Sequence, residues 1–222
     1  MIVTREAAKH LGLDLKSASI AIQGFGNVGS VSADLLARAG ARVVAITDWK
    51  GGVYNAKGLD IARMLDFSRE HKTIDAFPGG EPIDNEQLFA LDADVLIPAA
   101  LENQITAENA GAIRAKIVIE AANGPTTPDA HKMLHERGVF VIPDILANSG
   151  GVTVSYFEWV QDRYGYFWEE SEVNERLEKK MVEAFARVLE TSLQFKTDMR
   201  TSAYIVAINR VATVTKMRGM YA

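Results

Sequence analysis

Three glycines, Gly24, Gly26 and Gly29, stand at G-x-G-x-x-G spacing within Gln23-Gly24-Phe25-Gly26-Asn27-Val28-Gly29. Residues of this type at this spacing can grip a diphosphate. The first glycine permits a tight bend, the second lets the backbone approach phosphate, and the third lets a helix pack on the preceding strand. The free N–H groups that open that helix, and the positive end of its dipole, then face the negative charge. A glycine-rich turn can also exist without a ligand, so its context carries the weight. The run directly follows the apolar Ser19-Ile20-Ala21-Ile22 and opens a helical pattern. Asp48 ends a second apolar run nineteen residues beyond Gly29. A carboxylate there can accept from both hydroxyls of an adenosine ribose and repels a 2′-phosphate, which favours NAD. Lys50, two residues on, keeps NADP open, because an ammonium can meet that phosphate.

Other segments that follow apolar runs are small and amide-rich: Pro98-Ala99-Ala100-Leu101-Glu102-Asn103, Glu120-Ala121-Ala122-Asn123-Gly124-Pro125, and Pro143 through Gly151 with Asn148 among them. Ligands of open α/β sheets lie beyond such carboxyl ends. Small residues leave room for a flat ring, and Asn123 and Asn148 can hydrogen-bond a carboxamide or ribose, although either asparagine alone equally suits a plain turn. Hydride transfer to or from an anionic acid also needs a proton carrier and cations for the carboxylates. The same segments offer Glu102, Glu120 and Asp144 but no arginine or histidine, so no catalytic residue is assigned. His131 and His135 sit four apart, yet Lys132-Met133-Leu134 between them lacks the glutamate of H-E-x-x-H; a solvated helix face is expected and no metal site.

The elements that must position these residues are visible in the hydrophobic pattern. Continuous β-branched runs at 19–22, 42–47, 94–97, 116–119 and 139–142 suit parallel strands covered on both faces. Val28, Val31 and Leu35 are at helical spacing after the first, with Gly40 as the stop. Thr127 reads as an N-cap, Pro128 as the first helical residue and Gly138 as the stop of another helix. Residues 50–57 read as a turn or short hairpin, and 78–82 as a loop. The fold expected is α/β: a Rossmann-type, doubly wound, mainly parallel sheet over residues 1–150, followed by C-terminal helices over 151–222 packing on it. In the second part Ser171 is the expected N-cap of a long helix with Val173, Leu177, Met181, Phe185, Leu189 and Leu193 every fourth residue. A last helix over 201–217 puts Tyr204, Ile208 and Val211 on one stripe, with Ile205 and Val206 as further apolar residues. The aromatics Tyr156, Phe157, Trp159, Tyr164, Tyr166, Phe167 and Trp168 are expected to pack at a helix junction.

Composition narrows the class. With 222 residues, 48% of them apolar, the chain can bury about seven-tenths of its surface without staples. Its 29 acidic against 24 basic residues leave no basic excess for nucleic acid. The absence of cysteine removes disulfides, thiolate metal sites and a thiol nucleophile together. No apolar run reaches membrane-spanning length and no secretory leader is evident, so a cytoplasmic protein is expected.

Several longer blocks resemble glutamate dehydrogenase, within the Glu/Leu/Phe/Val dehydrogenase family. They are Val3-Thr4-Arg5-Glu6-Ala7, the 21–29 segment, Leu96 to Ile105, Glu120 to Pro128, Pro143 to Trp159, and Arg200 to Ile208. The resemblance runs from end to end. It implies NAD, with NADP possible, bound with its pyrophosphate at Gly24, Phe25, Gly26, Asn27, Val28 and Gly29. Asp48 and Trp49 would face the adenosine ribose, Ala99, Ala100, Ala122 and Asn123 would line the path to the nicotinamide, and Asn148 would approach its ribose or carboxamide. Val152 and Ser155 match positions that touch the side-chain carboxylate of glutamate. Family members carry a further N-terminal domain with the catalytic lysine and aspartate. The resemblance therefore implies an isolated coenzyme-binding domain, inactive alone, meeting glutamate or 2-oxoglutarate only with that domain. It also implies a monomer or weak dimer, where the full-length family forms homo-oligomers. The alternatives are a non-catalytic nucleotide-binding or assembly module, and the coenzyme domain of a branched-chain or aromatic amino-acid dehydrogenase; the hydroxyl of Ser155 suits glutamate better than an apolar side chain.

Overall fold

A computed structural model describes residues 1–219. In chain order the elements are α1 (Ile2–His10), β1 (Ser19–Gln23), α2 (Asn27–Arg38), β2 (Arg42–Thr47), β3 (Gly52–Tyr54), α3 (Ile61–His71), β4 (Glu81–Pro82), α4 (Asn85–Phe89), β5 (Val95–Pro98), β6 (Ile117–Ile119), α5 (Pro128–Glu136), β7 (Phe140–Ile142), α6 (Asp144–Ala147), α7 (Ser149–Tyr164), α8 (Glu170–Phe195) and α9 (Met199–Arg218). They divide into two compact units, Val3–Asn148 and the chain from Ser149 onward.

The first unit is built on one seven-stranded sheet, ordered β4-β3-β2-β1-β5-β6-β7. The five apolar runs become β1, β2, β5, β6 and β7, paired in parallel throughout. Their burial on both faces explains why they read as continuous rather than alternating. Ala21, Val44, Leu96, Val118 and Val141 belong to a buried cluster with Leu88, Phe89, Ile113, Ala130 and Leu134. Alternate positions such as Ile20, Ile22, Val95, Ile97 and Ile117 are buried on the other face. Asp94 pins the start of β5 to β1: its Oδ2 accepts from the Ser19 amide at 2.9 Å and hydroxyl at 2.8 Å, while Oδ1 meets Lys116 Nζ at 2.8 Å.

Local signals set several ends. Thr127 caps α5 by accepting from the Ala130 amide, Pro128 stands in its first turn, and Gly138 follows it at φ +75°. Gly40 follows α2 at φ +90°, its N–H bonded to the Ala37 carbonyl. The 50–57 turn contains β3, antiparallel to β2. The segment 78–82, expected as a loop, ends in β4, antiparallel to β3. Pro82 is tolerated there because β4 is an edge strand.

The face of α2 differs from expectation. Val28, Val31 and Leu35 are exposed, and Gly29, Ala33 and Leu36 are buried instead. The two sets are centred about 130° apart on a helix of 3.6 residues per turn. The small residues Gly29 and Ala33 occupy the inner side, where the helix backbone approaches the sheet.

In the second unit α8 starts earlier than expected, with Glu169 rather than Ser171 at its N-cap. Met181, Phe185 and Val188 are its buried residues, and Leu193 is exposed. A strict four-residue spacing drifts by about 40° per step around a 3.6-residue helix, so Leu193 has rotated away from the inner side. Asp198 caps α9 by accepting from the Thr201 amide. Tyr204, Ile208 and Val211 form an exposed apolar stripe along α9, with Val214 and Met217 exposed further round the helix, whereas Ile205 and Val206 are half-buried. Of the aromatic group, Phe157 and Trp168 meet edge to face at 5.7 Å, and Arg176 lies 4.2 Å over the Trp168 ring. Tyr164, Tyr166 and Phe167 are exposed rather than packed.

Candidate functional site

The order of strands reverses at β1: the chain moves outward to β2 on one side and restarts at β5 on the other. The crevice at the carboxyl ends of β1 and β5 is therefore a topological switch point, the position where open α/β sheets bind ligands. The three-glycine turn leaves β1 there. Gly24 takes φ +97°, and a Cβ on it would stand 2.8 Å from the Ala99 carbonyl oxygen, so only glycine fits between the turn and the segment after β5. Gly29 lies against the turn itself, where a Cβ would reach within 1.8 Å of the Gly24 oxygen. Gly26 is different: its φ is an ordinary −74°, and a Cβ on it would meet no protein atom within 4 Å. Packing does not demand a glycine at 26, and open space lies beside it.

The start of α2 faces that space without a cap. In α3, α4, α5 and α9 the side chains of Asp60, Asp84, Thr127 and Asp198 accept from the first-turn amides. Gly26, at the N-cap of α2, has no side chain to do so. The first backbone bond closing the helix runs from the Ser30 amide to the Gly26 oxygen, at 2.9 Å. The amides of Asn27 and Val28 are thus left to an outside acceptor.

A cavity of about 650 Å³ opens here. Of the residues expected at the site, it brings together Gly24, Phe25, Gly26, Asp48, Trp49, Ala99 and Ala100. Sequence reasoning missed Ser68, Lys72, Asn85 and Gln104 on its wall. They come from elements distant along the chain, and only the capping box of α4, which puts Asn85 after Asp84, leaves a local mark. Beneath them, Gln23 is buried and donates to Gln104 Oε1 at 2.6 Å, while its own Oε1 has no hydrogen-bond partner among the described residues. Thr47 donates to Asn85 Oδ1 at 2.7 Å.

Asp48 lines the cavity, but its carboxylate is already engaged. Oδ1 accepts from the amides of Lys50 at 2.8 Å and Gly51 at 3.1 Å. Oδ2 accepts from the Thr73 hydroxyl at 2.6 Å and the Ile74 amide at 2.7 Å. Burial pushes this carboxyl up, yet the hydrogen bonds from Thr73, Lys50, Ile74 and Gly51 together outweigh burial and hold it below its ordinary value. Two carboxylate oxygens offer about four acceptor positions, and four donors occupy them. Trp49 beside it is 82% exposed, with its indole N–H 3.5 Å from the Lys72 carbonyl.

Ala122, Asn123 and Asn148 stand apart from the cavity wall, at the ends of β6 and α6. The Ala122 amide donates to the Pro98 carbonyl at 3.0 Å, and Asn148 Nδ2 donates to Asn123 Oδ1 at 2.7 Å. Val152 and Ser155 lie on α7 of the second unit, three residues apart on one exposed face with Tyr156 and Trp159. Among the described residues no cluster of acids and histidines could hold a metal ion, and no helix is long and apolar enough to cross a membrane.

Known proteins share this arrangement. The family model for Glutamate/Leucine/Phenylalanine/Valine dehydrogenase matches residues 1–219. A glutamate dehydrogenase of Thermotoga maritima is 53% identical over 212 residues, which is 95% of this chain and 51% of that protein. An NAD-specific glutamate dehydrogenase of Clostridioides difficile is 48% identical, covering 99% of this chain and 53% of its own. Among solved structures, a hetero-hexameric glutamate dehydrogenase from Thermus thermophilus superposes with a TM-score of 0.93 at 35% identity, over all of this chain and 52% of that one. The Peptoniphilus asaccharolyticus enzyme gives a TM-score of 0.86 at 42% identity. The chain spans about half the length of the curated relatives it matches. With the glycine turn, the switch-point cavity and the sheet order all in agreement, the chain belongs to the Glutamate/Leucine/Phenylalanine/Valine dehydrogenase family.

Proposed function

We propose that this chain is the coenzyme-binding part of an NAD-dependent glutamate dehydrogenase. The observation that carries the reading is Gly26. A glycine that packing does not require sits beside two uncapped helix amides, in a cavity at the switch point. A pyrophosphate there would accept from the Asn27 and Val28 amides while the positive end of α2 offsets its charge. The adenosine end would lie by Trp49 and Lys72, and the nicotinamide end by Ala99 and Ala100 toward Ala122. Asn148 donates to Asn123, which leaves the Asn123 amide hydrogens and the Asn148 oxygen as a donor and acceptor matched to a carboxamide. NAD supplies the hydride acceptor for oxidative deamination of L-glutamate to 2-oxoglutarate and ammonia.

The protein's own contribution here is binding and orientation. Lys72 is the sole cation on the described cavity wall and Asp48 its sole carboxylate, and Asp48 is fully engaged. Neither suits moving a proton at the reacting carbon of an amino acid. The chain by itself is therefore expected to bind NAD without oxidising glutamate. Calorimetry should give a dissociation constant of about 10 µM to 1 mM, or about −7 to −4 kcal/mol. Absence of binding at millimolar NAD, or turnover of glutamate by the purified chain, would contradict the proposal.

The exposed stripe of Tyr204, Ile208 and Val211 on α9 supports a second property, self-association. Sedimentation across a concentration range is expected to show a weak dimer. A strict monomer at the highest concentration would remove this reading.

A further inference from the structure

We propose that Asn123-Gly124 is a self-modifying site held in check by Asp144. The Gly124 nitrogen can close on the Asn123 side chain and turn it into aspartate or isoaspartate, and the Asp144 carboxylate restrains that closure. This is the one asparagine–glycine pair in the sequence. Both residues are exposed, and a glycine after asparagine carries no Cβ to shield its nitrogen. A Cβ on Gly124 would itself meet nothing within 4 Å, so neighbouring atoms do not crowd the residue. In the reaction the Gly124 N–H gives its proton to water, and its nitrogen bonds to Asn123 Cγ. The Cγ–Nδ2 bond breaks, ammonia leaves with a proton from water, and a cyclic imide remains. Water then opens either of the imide's carbonyl–nitrogen bonds. The net change consumes a water and releases an ammonia, with nothing oxidised or reduced.

The fold holds that nitrogen back. The Gly124 amide donates to Asp144 Oδ2 at 2.8 Å, and the Gly124 carbonyl accepts from the Asn103 amide at 2.9 Å. Gly124 is thereby tied on both sides, at φ +53°. Asp144 is itself placed by its amide, which donates to the buried Glu120 at 2.9 Å, and by its Oδ1, which accepts from the Ile145 amide at 2.8 Å. A carboxylate beside the nitrogen also disfavours the anion that must form before attack. One contact works the other way. Asn148 donates to Asn123 Oδ1 at 2.7 Å, which polarises the carbonyl under attack. That bond joins neutral groups, whereas the bond to Asp144 is charge-assisted and about twice as strong, so restraint prevails. Conversion removes the Asn123 amide hydrogens and sets a negative charge beside Asn148.

The test incubates the purified chain at neutral pH, in native buffer and in guanidinium, and follows aspartate plus isoaspartate at position 123 by peptide mapping and mass spectrometry. The native chain should convert about tenfold more slowly than the denatured chain. Folded Asp144→Ala should convert about tenfold faster than the native wild type. Asp144→Asn keeps a neutral acceptor of the same shape and should convert about threefold faster. Thermal melting shows which variants are folded, and Asp144→Asn decides the matter if Asp144→Ala does not fold. Equal rates in the native and denatured wild type, or folded variants that convert no faster than the wild type, would overturn the proposal. The masses are read without any coenzyme. A chain that binds no NAD would therefore refute the dinucleotide reading and leave this inference standing.

Discussion

Gly26→Ala is expected to weaken NAD binding by about tenfold or more while costing the fold no more than about 1 kcal/mol. The added methyl meets no protein atom, and the backbone at 26 is already in a region open to any residue. Alanine is a poorer N-cap than glycine, which accounts for the small stability loss. Yet the methyl projects beside the Asn27 and Val28 amides, where a phosphate oxygen must come within hydrogen-bond distance. Gly29→Ala provides the contrast. Its methyl would lie 1.8 Å from the Gly24 oxygen, so α2 must lift off the turn or the turn must open. A loss of about 3 kcal/mol is expected, at the upper end for overpacking because the obstacle is backbone. Paired melting curves and NAD titrations separate the two effects. Normal NAD binding by Gly26→Ala would place the phosphates elsewhere.

Asp48→Ala should be costly for a single substitution of a polar residue. It frees four donors at once, two of them on the buried residues Thr73 and Ile74. The expected loss is about 3 kcal/mol, because the exposed Lys50 amide is rehydrated while the inner donors are not. For a chain of this length that corresponds to about 10 °C in melting temperature. The pH dependence follows from the direction of the shift. The carboxyl is depressed below 3.8 in the folded chain, so its contribution is present at pH above about 4 and disappears as pH falls through the lower folded value. Asp48→Asn should accordingly flatten part of the acid side of a urea-denaturation series, where the wild type loses stability. An unchanged acid slope would show that these hydrogen bonds do not hold the carboxylate.

Much of this was legible in the sequence because it is local. Five continuous apolar runs become five parallel strands, and Thr127-Pro128 with Gly138 bounds α5 as read. The glycine turn sits where its context puts it, between β1 and α2. What sequence reasoning missed depends on distant contacts. That Val28, Val31 and Leu35 face outward follows from Gly29 and Ala33 fitting against the sheet, and spacing alone cannot choose between two such stripes about 130° apart. The engagement of Asp48 depends on Thr73 and Ile74, in a segment with no local signature linking it to the end of β2. Lys72 and Asn85 reach the cavity for the same reason: the sheet order gathers elements that the chain keeps apart.

The most direct test is an amide-resolved NMR titration of the isotopically labelled chain with NAD. If the bare start of α2 holds the diphosphate, the amides of Phe25, Gly26, Asn27, Val28 and Gly29 should show the largest shifts, with Ala99 and Ala100 next. Saturable binding that leaves those five amides unmoved and perturbs another surface would contradict the account.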